Sequence, residues 1–116
     1  MHELSIAESI VDIVTETVER RGAGRVAAVH LRLGALAGVV DEALLFSFDV
    51  AAAGSPVEGA ELRIEKVPVT VYCPSCRIDR VLAGVQPLCC PTCGTPTPTV
   101  ISGTELEVTA MEVEDG

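Results

Sequence analysis

Four of the five cysteines in this 116-residue chain lie in two C-x-x-C pairs. Cys73 and Cys76 belong to the sequence Cys-Pro-Ser-Cys, and Cys90 and Cys93 belong to Cys-Pro-Thr-Cys. Such a pair lets two thiolates from one tight turn reach the same ion, and Zn(II) prefers four such ligands in a tetrahedron. The spacing therefore predicts a Zn(II) site built from all four. Because a closed thiolate shell leaves no open position for water, we expect this site to be structural.

The fifth cysteine, Cys89, is an alternative to Cys90 as the ligand that pairs with Cys93. Cys90 keeps the two-residue spacing to Cys93, whereas Cys89 would need three, so we assign Cys90 as the ligand and Cys89 as a spare thiol. Free buried cysteines and a redox dithiol are the competing interpretations. A thiol–disulfide enzyme would use Cys89 with Cys90 or Cys93. The presence of two C-x-x-C turns favours a metal site over these alternatives. We therefore expect no enzymatic activity.

The amino terminus carries one of the only two histidines, His2. The amine of Met1, the intervening amide nitrogen and the His2 imidazole can close fused chelate rings, and the amide of Glu3 can add a fourth nitrogen. A planar all-nitrogen set suits Ni(II) or Cu(II). Many chains begin Met-His by chance, so an exposed end without a metal is the simpler interpretation. The other histidine, His30, lies on the polar face of a predicted strand and is expected at the surface or an interface.

Composition restricts the partners of the chain. A net charge of −9 and an aromatic content of 3% argue against nucleic acid, which needs a basic surface and bases to stack. No apolar run is long enough to span a bilayer, and the first residues lack the pattern of a signal peptide. We expect no membrane partner, a cytoplasmic location, and metal binding in preference to disulfides.

The elements that position these residues follow from hydrophobic periodicity. A first helix runs to Arg21, with Ser5 and Glu8 as a predicted capping box. A second helix starts near Asp41, the expected N-cap. Strands are predicted at about 26–33, 60–67 and 105–113. The expected buried positions of the first helix are Ile6, Ile10, Ile13, Val14, Thr17 and Val18. Those of the second helix are Leu44, Leu45, Phe48 and Ala52. In the last strand they are Leu106, Val108 and Ala110.

Residues 70–102 differ in composition from the rest of the chain. They hold all five cysteines and five of the seven prolines, and little in them can form a core. We therefore predict an inserted zinc-binding domain at 70–102. The predicted α/β domain is formed by residues 1–69 and 103–116, with the last strand resuming the sheet after the insertion.

Three features together resemble the HypA/HybF family of nickel metallochaperones. They are the start Met1-His2-Glu3-Leu4-Ser5, the turn Leu33-Gly34-Ala35-Leu36-Ala37-Gly38-Val39, and the two Cys-Pro-x-Cys knuckles. The resemblance covers essentially the whole chain in order. It implies an α/β fold with two helices on a small three-stranded sheet and an inserted zinc-ribbon-like domain.

The resemblance also implies a function. Transferable Ni(II) would be bound at Met1, His2 and Glu3, and structural Zn(II) by the four cysteines. The chain would cooperate with the GTPase HypB and deliver nickel to the large subunit of nickel–iron hydrogenase. Some members of the family also support urease, so urease maturation proteins are further implied partners. Some relatives carry an acidic residue before the second helix, where Asp41 or Glu42 stands here. We expect a monomer or weak homodimer. The alternative is a zinc-ribbon interaction module without metal transfer.

Overall fold

The computed structural model describes residues 2–22, 24–84 and 88–114. Its helices are α1 (Glu3–Arg21) and α2 (Asp41–Ala52). Its strands are β1 (Arg25–Gly34), β2 (Glu61–Val67), β3 (Thr70–Cys73), β4 (Ile78–Val81), β5 (Val100–Ser102) and β6 (Leu106–Glu114). They form two three-stranded sheets with the orders β2-β1-β6 and β4-β3-β5. The predicted fold class, two helices with a small three-stranded sheet and a separate cysteine-bearing part, is confirmed.

The chain forms two compact units. Unit 1 contains residues 1–31, 39–65 and 108–116, and unit 2 contains residues 32–38 and 66–107. Unit 2 is larger than the predicted insertion because backbone bonds tie the turn after β1 to both flanks. The amide of Ala35 donates to the carbonyl of Val67 at 3.0 Å, and that of Leu36 donates to Gly103 at 2.7 Å. The domain boundaries at 69 and 103 stay a prediction.

The predicted capping box of α1 is wrong. The helix begins at Glu3, and its N-cap is His2, which makes no side-chain cap bond. The amide of Ile6 donates to the His2 carbonyl at 3.2 Å, so Ser5 already lies inside the first turn. Asp41 is likewise the first residue of α2, not its N-cap, which is Val40 in an extended conformation. A capping motif is a local signal, and here the helices start earlier than that signal suggests.

The core of unit 1 lies between the two helices and the β2-β1-β6 sheet. Its helical members are Ala7, Ile10, Val11, Val14, Val18, Leu44, Phe48 and Ala52. Ile13 was predicted to be buried, but it is 55% exposed. The buried face of α1 is centred on Ala7, Val14 and Val18, and Ile13 lies to one side of it. Leu45 is exposed too, at 41%. Neither helix has the length and apolar character needed to cross a bilayer, for the part of the chain that is described.

The edge strand β6 follows the predicted alternation only in part. Val108 packs against the core, but Leu106 and Ala110 are exposed and Met111 packs in place of Ala110. On the other face of this sheet, Glu112 contacts the His30 ring at 2.7 Å and also pairs with Arg63. His30 therefore lies in a cross-strand charge cluster near the surface.

Unit 2 has a much smaller core. Only Val69, Val71 and Leu82 form its buried cluster among the described residues, with Leu36, Leu88 and Val100 partly buried against it. The central strand β3 pairs antiparallel with β4, and Cys73 faces Ile78 in this register. So few buried apolar residues bury little surface, and small units of this kind are usually stapled by a metal or disulfides.

Candidate metal centres

The two C-x-x-C segments adopt the same backbone turn. The amide of Arg77 donates to the carbonyl of Cys73 at 2.7 Å, and the amide of Gly94 donates to that of Cys90 at 2.8 Å. The residue that closes each turn is left-handed, with φ of 60° at Arg77 and 77° at Gly94. In the first turn the amide of Cys76 also donates to the Cys73 sulfur at 3.3 Å. Each turn therefore directs two sulfurs to one side.

The four predicted sulfurs lie together. Those of Cys73, Cys76, Cys90 and Cys93 are all within 4.8 Å of one another. The distances between turns are 3.5 Å from Cys73 to Cys93 and 4.0 Å from Cys76 to Cys90. A tetrahedral ion with bonds of about 2.3 Å to sulfur would separate its ligands by about 3.8 Å. The residues present therefore fit a tetrahedral metal, and the cluster is a four-cysteine metal-binding site.

Cys89 is not part of this cluster. Its backbone forms a bridge with Pro96, while the neighbouring amide of Cys90 donates to Thr95 at 2.9 Å. Successive side chains of extended backbone point to opposite sides, so a Cys90 sulfur in the cluster directs Cys89 away from it. All five cysteines are free of disulfides.

The cluster favours thiolate at the second turn. Amide donors, first that of Cys93 and then that of Thr92, lower the pKa of Cys90 to about 6. The Thr95 hydroxyl lies 3.1 Å from the Cys93 sulfur and, with a backbone bond from Thr95, lowers the pKa of Cys93. For Cys73, the Cys76 amide acts to lower the pKa, but burial and the neighbouring thiols raise it to about 11. A bound cation would favour the thiolate form of all four cysteines, so it would counteract the effects that raise the pKa of Cys73.

Two polar side chains near the sulfurs were not predicted from the sequence. On β4, the nearby sulfur of Cys76 and then that of Cys90 raise the pKa of the Arg80 guanidinium. Thr95, which contacts the Cys93 sulfur, also lies 3.0 Å from the Ser75 hydroxyl of the other turn. Arg80 could have been found from its place in the hairpin that follows the first C-x-x-C pair, but strands as short as β4 give a weak periodic signal.

The predicted nickel ligands lie at the start of α1. His2 is exposed and immediately precedes the helix. Glu3 is the first helical residue, and the first amides of a helix have no acceptor within the helix. Met1, predicted to supply the terminal amine, lies outside the described residues.

The Glu3 carboxylate joins the starts of the two helices. Its Oε2 accepts a hydrogen bond from the amide of Val40 at 3.2 Å. This bond, followed by the nearby amide of Glu3 itself, lowers the pKa of the carboxyl group. Val40 directly precedes Asp41, so the acidic first turn of α2 begins next to Glu3.

Comparison with known proteins identifies the family. The sequence model described as "Hydrogenase/urease nickel incorporation, metallochaperone, hypA" matches residues 1–113. The chain belongs to the HypA family. The hydrogenase maturation factor HypA of Roseiflexus sp. is 51% identical over 115 residues, covering 99% of this chain and 94% of that protein. The HypA of Chloroflexus aurantiacus is 51% identical over 112 residues, covering 97% and 98%.

HypA solution structures share the fold. One is that of the Ni metallochaperone HypA from Helicobacter pylori, with a TM-score of 0.67 and 19% identity over the whole of both chains. Another HypA structure gives 0.72 and 20%, covering 100% of this chain and 98% of the other. This structural similarity and the four-cysteine cluster are together consistent with a zinc-ribbon-like domain. Membership of the HypA family makes the chain a nickel-incorporation metallochaperone of hydrogenase maturation.

Proposed function

We propose that the chain binds Ni(II) at its amino terminus and delivers it to the large subunit of nickel–iron hydrogenase. The observation that carries this proposal is the position of His2, which is exposed and directly precedes α1 in a HypA family member. The imidazole of His2, the amine of Met1 and the amides of His2 and Glu3 would bind the metal. An exposed site can exchange ligands with an acceptor, whereas a buried cage would retain its metal.

The helix start supports this ligand set physically. Deprotonating a helical amide normally breaks a backbone hydrogen bond, but the first amides of a helix have none within it. The Glu3 carboxylate accepts its hydrogen bond from the Val40 amide, so this bond would remain if the Glu3 amide bound nickel. We propose that Asp41, in the first turn of α2, assists by its negative charge.

The four-cysteine site would hold Zn(II), which supplies a fixed centre for the two turns and takes no part in transfer. The cysteines would bind the ion through all four sulfurs and would leave no position for a substrate. The proposed partners are the GTPase HypB, the hydrogenase large subunit and urease maturation proteins. The protein would act in the cytoplasm as a carrier and not as an enzyme.

Nickel titration of the zinc-loaded, untagged protein tests the proposal. The wild type is expected to bind one nickel ion tightly, and H2A to lose more than the roughly 10–100-fold that an outer-shell partner contributes. H30A is the matched control, since it removes the only other histidine and should bind as wild type does. Affinity should fall in acid, because imidazole and amide nitrogens bind only when deprotonated. Equal nickel affinity in H2A and wild type would exclude this site and favour the zinc-ribbon interaction module.

A further inference from the structure

Helix α2 carries apolar side chains on both of its sides. On the inner side, Leu44, Phe48 and Ala52 belong to the core of unit 1. On the outer side, Phe46 and Val50 lie one turn apart and are 72% and 53% exposed. A helix that is apolar on both sides is normally covered on both. The outer side of α2 therefore has the composition of a contact surface.

The exposure of Phe46 is unusual for the composition of this chain. The sequence contains two phenylalanines and no tryptophan, and the other phenylalanine, Phe48, is buried. Single exposed apolar side chains are common on protein surfaces, but here Val50 and Leu45 are exposed on the same helix. Aromatic side chains are enriched at the centres of protein interfaces, so Phe46 is suited to anchor a partner.

Carboxylates border the exposed apolar pair. Glu42 lies one turn before Phe46 and Asp49 lies nearly one turn after it, and both acidic side chains are exposed. Helix α2 contains no lysine or arginine. Glu42, Phe46, Asp49 and Val50 thus form an outer face of α2 with an apolar centre and an acidic border.

Charge restricts what can cover this outer face. The chain has 17 acidic and 8 basic side chains, so a second copy would bring further negative charge to the same place, and like charges across an interface are unfavourable. The phosphates of nucleic acid and the anionic lipids of a membrane surface are disfavoured for the same reason. A protein surface with an apolar centre and a basic border matches both parts of the outer face.

We propose that the outer face of α2 is a docking surface for an amphipathic helix of a partner protein, apolar along its centre and bordered by lysine or arginine. Two helices pack with the side chains of one between those of the other, which would enclose Phe46. Glu42 and Asp49 would pair with the basic border and fix the orientation of the partner.

This docking surface begins beside the start of α1. The amide of Val40, just before α2, donates to the Glu3 carboxylate at 3.2 Å. A partner seated on the outer face would therefore lie near the proposed nickel ligands. Its relation to nickel rests on the proposed function, but docking itself requires no nickel.

The test uses the full chain, loaded with zinc and free of nickel, and two synthetic helical peptides. Both peptides present the same leucine face, which is bordered by lysine in one and by glutamate in the other. Affinity is measured by fluorescence anisotropy of the labelled peptides, and the contact surface by amide chemical shifts of the protein. The lysine peptide is expected to bind, to shift amides of α2, and to bind more weakly as salt is added. The glutamate peptide should not bind.

Variants of exposed apolar residues test the anchor. F46S should weaken binding of the lysine peptide at least about tenfold, as truncation of a central interface aromatic does. I13S is the matched control, because Ile13 is also exposed but lies on α1, and it should bind as wild type does. V50S should give a smaller loss than F46S, and it supplies the same comparison if F46S does not fold.

A pair of double variants tests the acidic border. E42Q/D49N removes two charges from the outer face, and E8Q/D12N removes two charges from exposed positions of α1. The first should weaken binding of the lysine peptide more than the second. Equal losses would show a general attraction to an acidic protein and would overturn the proposal.

Other results would also overturn it. These are wild-type affinity of both F46S and V50S for the lysine peptide, or equally tight binding of the glutamate peptide. Self-association of the wild type in sedimentation that F46S abolishes would assign the face to a second copy of the chain. Binding to phosphatidylserine vesicles that F46S abolishes would assign it to a membrane. Loss of nickel binding at His2 would change none of these measurements, so failure of the proposed function is distinguishable.

Discussion

At the scale of single residues, the two cysteine turns differ at the position that closes them. Arg77 and Gly94 have the same left-handed backbone, but only glycine adopts it without strain. Relief of this strain in R77G should contribute about 1–2 kcal/mol, more than the roughly 0.4–1 kcal/mol that glycine costs through the unfolded chain. We expect zinc-loaded R77G to gain about 0.5–1 kcal/mol in urea unfolding.

The opposite change supplies the control for this prediction. G94A places a Cβ at the equivalent position of the second turn, where no atom lies within 4 Å of it, so only backbone strain is added. It should destabilise the protein by about 1 kcal/mol. If R77G were no more stable than wild type, the left-handed conformation of Arg77 would not be strained.

Spacing was enough to predict which four cysteines come together, including Cys90 in preference to Cys89. The place of Arg80 near the Cys76 and Cys90 sulfurs is only weakly signalled by the sequence, because it depends on how the hairpin after the first turn folds back. The exposure of His2 follows from its place in the chain. The role of His2 as the N-cap of α1 could not be predicted. Ser5 and Glu8 form a stronger capping motif, whereas His2 makes no side-chain cap bond.

At the scale of elements, the end of β1 depends on a glycine. A Cβ on Gly34 would lie 2.1 Å from the carbonyl oxygen of Gly103 and 2.6 Å from the amide of Glu105. Both neighbours are backbone atoms that cannot rotate away. We therefore expect G34A to destabilise the protein by roughly 3 kcal/mol or more, at the upper end for overpacking.

Gly84 is the matched control for G34A. A Cβ there meets nothing within 4 Å, and its φ is not in the left-handed region. G84A should leave the midpoint of thermal unfolding nearly unchanged while G34A lowers it. Equal midpoints for the two variants would contradict the close approach at Gly34.

The outer face of the β2-β1-β6 sheet predicts a pH dependence. The hydrogen bond from His30, followed by the charge of Arg63, lowers the pKa of Glu112 below its ordinary value of 4.5. Its carboxylate thus stabilises the fold above that value, and the contribution is lost as pH falls through the lowered pKa. The free energy of unfolding of wild type should exceed that of E112Q at neutral pH, and the difference should shrink in acid.

Urea unfolding of both proteins between about pH 7 and pH 3 checks this prediction. The difference between variants cancels the loss of metal in acid, which both share. E8Q removes an equal charge from an exposed position of α1 and controls for net charge. A difference between wild type and E112Q that stays constant with pH would contradict the role of Glu112.

Periodicity predicted the helices and the three strands of the larger sheet with nearly the right bounds. Periodicity did not correctly predict every residue on the buried face of each element. Ile13 lines a surface groove beside Val108 and Met111 instead of entering the core. The edge strand β6 is packed on one side only, so its apolar alternation is not enforced along its length.

At the scale of the whole molecule, the two units differ in what stabilises them. The buried cluster of unit 1 has fourteen members, whereas that of unit 2 has three among the described residues. Removing metal with a chelator should therefore unfold unit 2 and leave α1 and α2 folded. Amide hydrogen exchange should lose protection in β3 and β4 but keep it in α1.

Cysteine variants separate this effect from nonspecific damage by the chelator. C76S should reproduce the metal-free pattern in the absence of chelator, because it removes one of the four sulfurs. C89S should exchange like wild type, since Cys89 lies outside the cluster. Unchanged protection of β3 in the metal-free protein would show that the small core of unit 2 suffices without the ion.

The central claim is that nickel held at His2 passes to a hydrogenase large subunit. The most direct measurement loads the zinc-containing, untagged chain with radioactive nickel and mixes it with a nickel-free large subunit and the GTPase. With wild type and H30A, nickel is predicted to appear in the large subunit, whereas H2A should transfer almost none. Transfer by H2A at the wild-type rate, or complete retention of nickel by the wild type, would contradict the account.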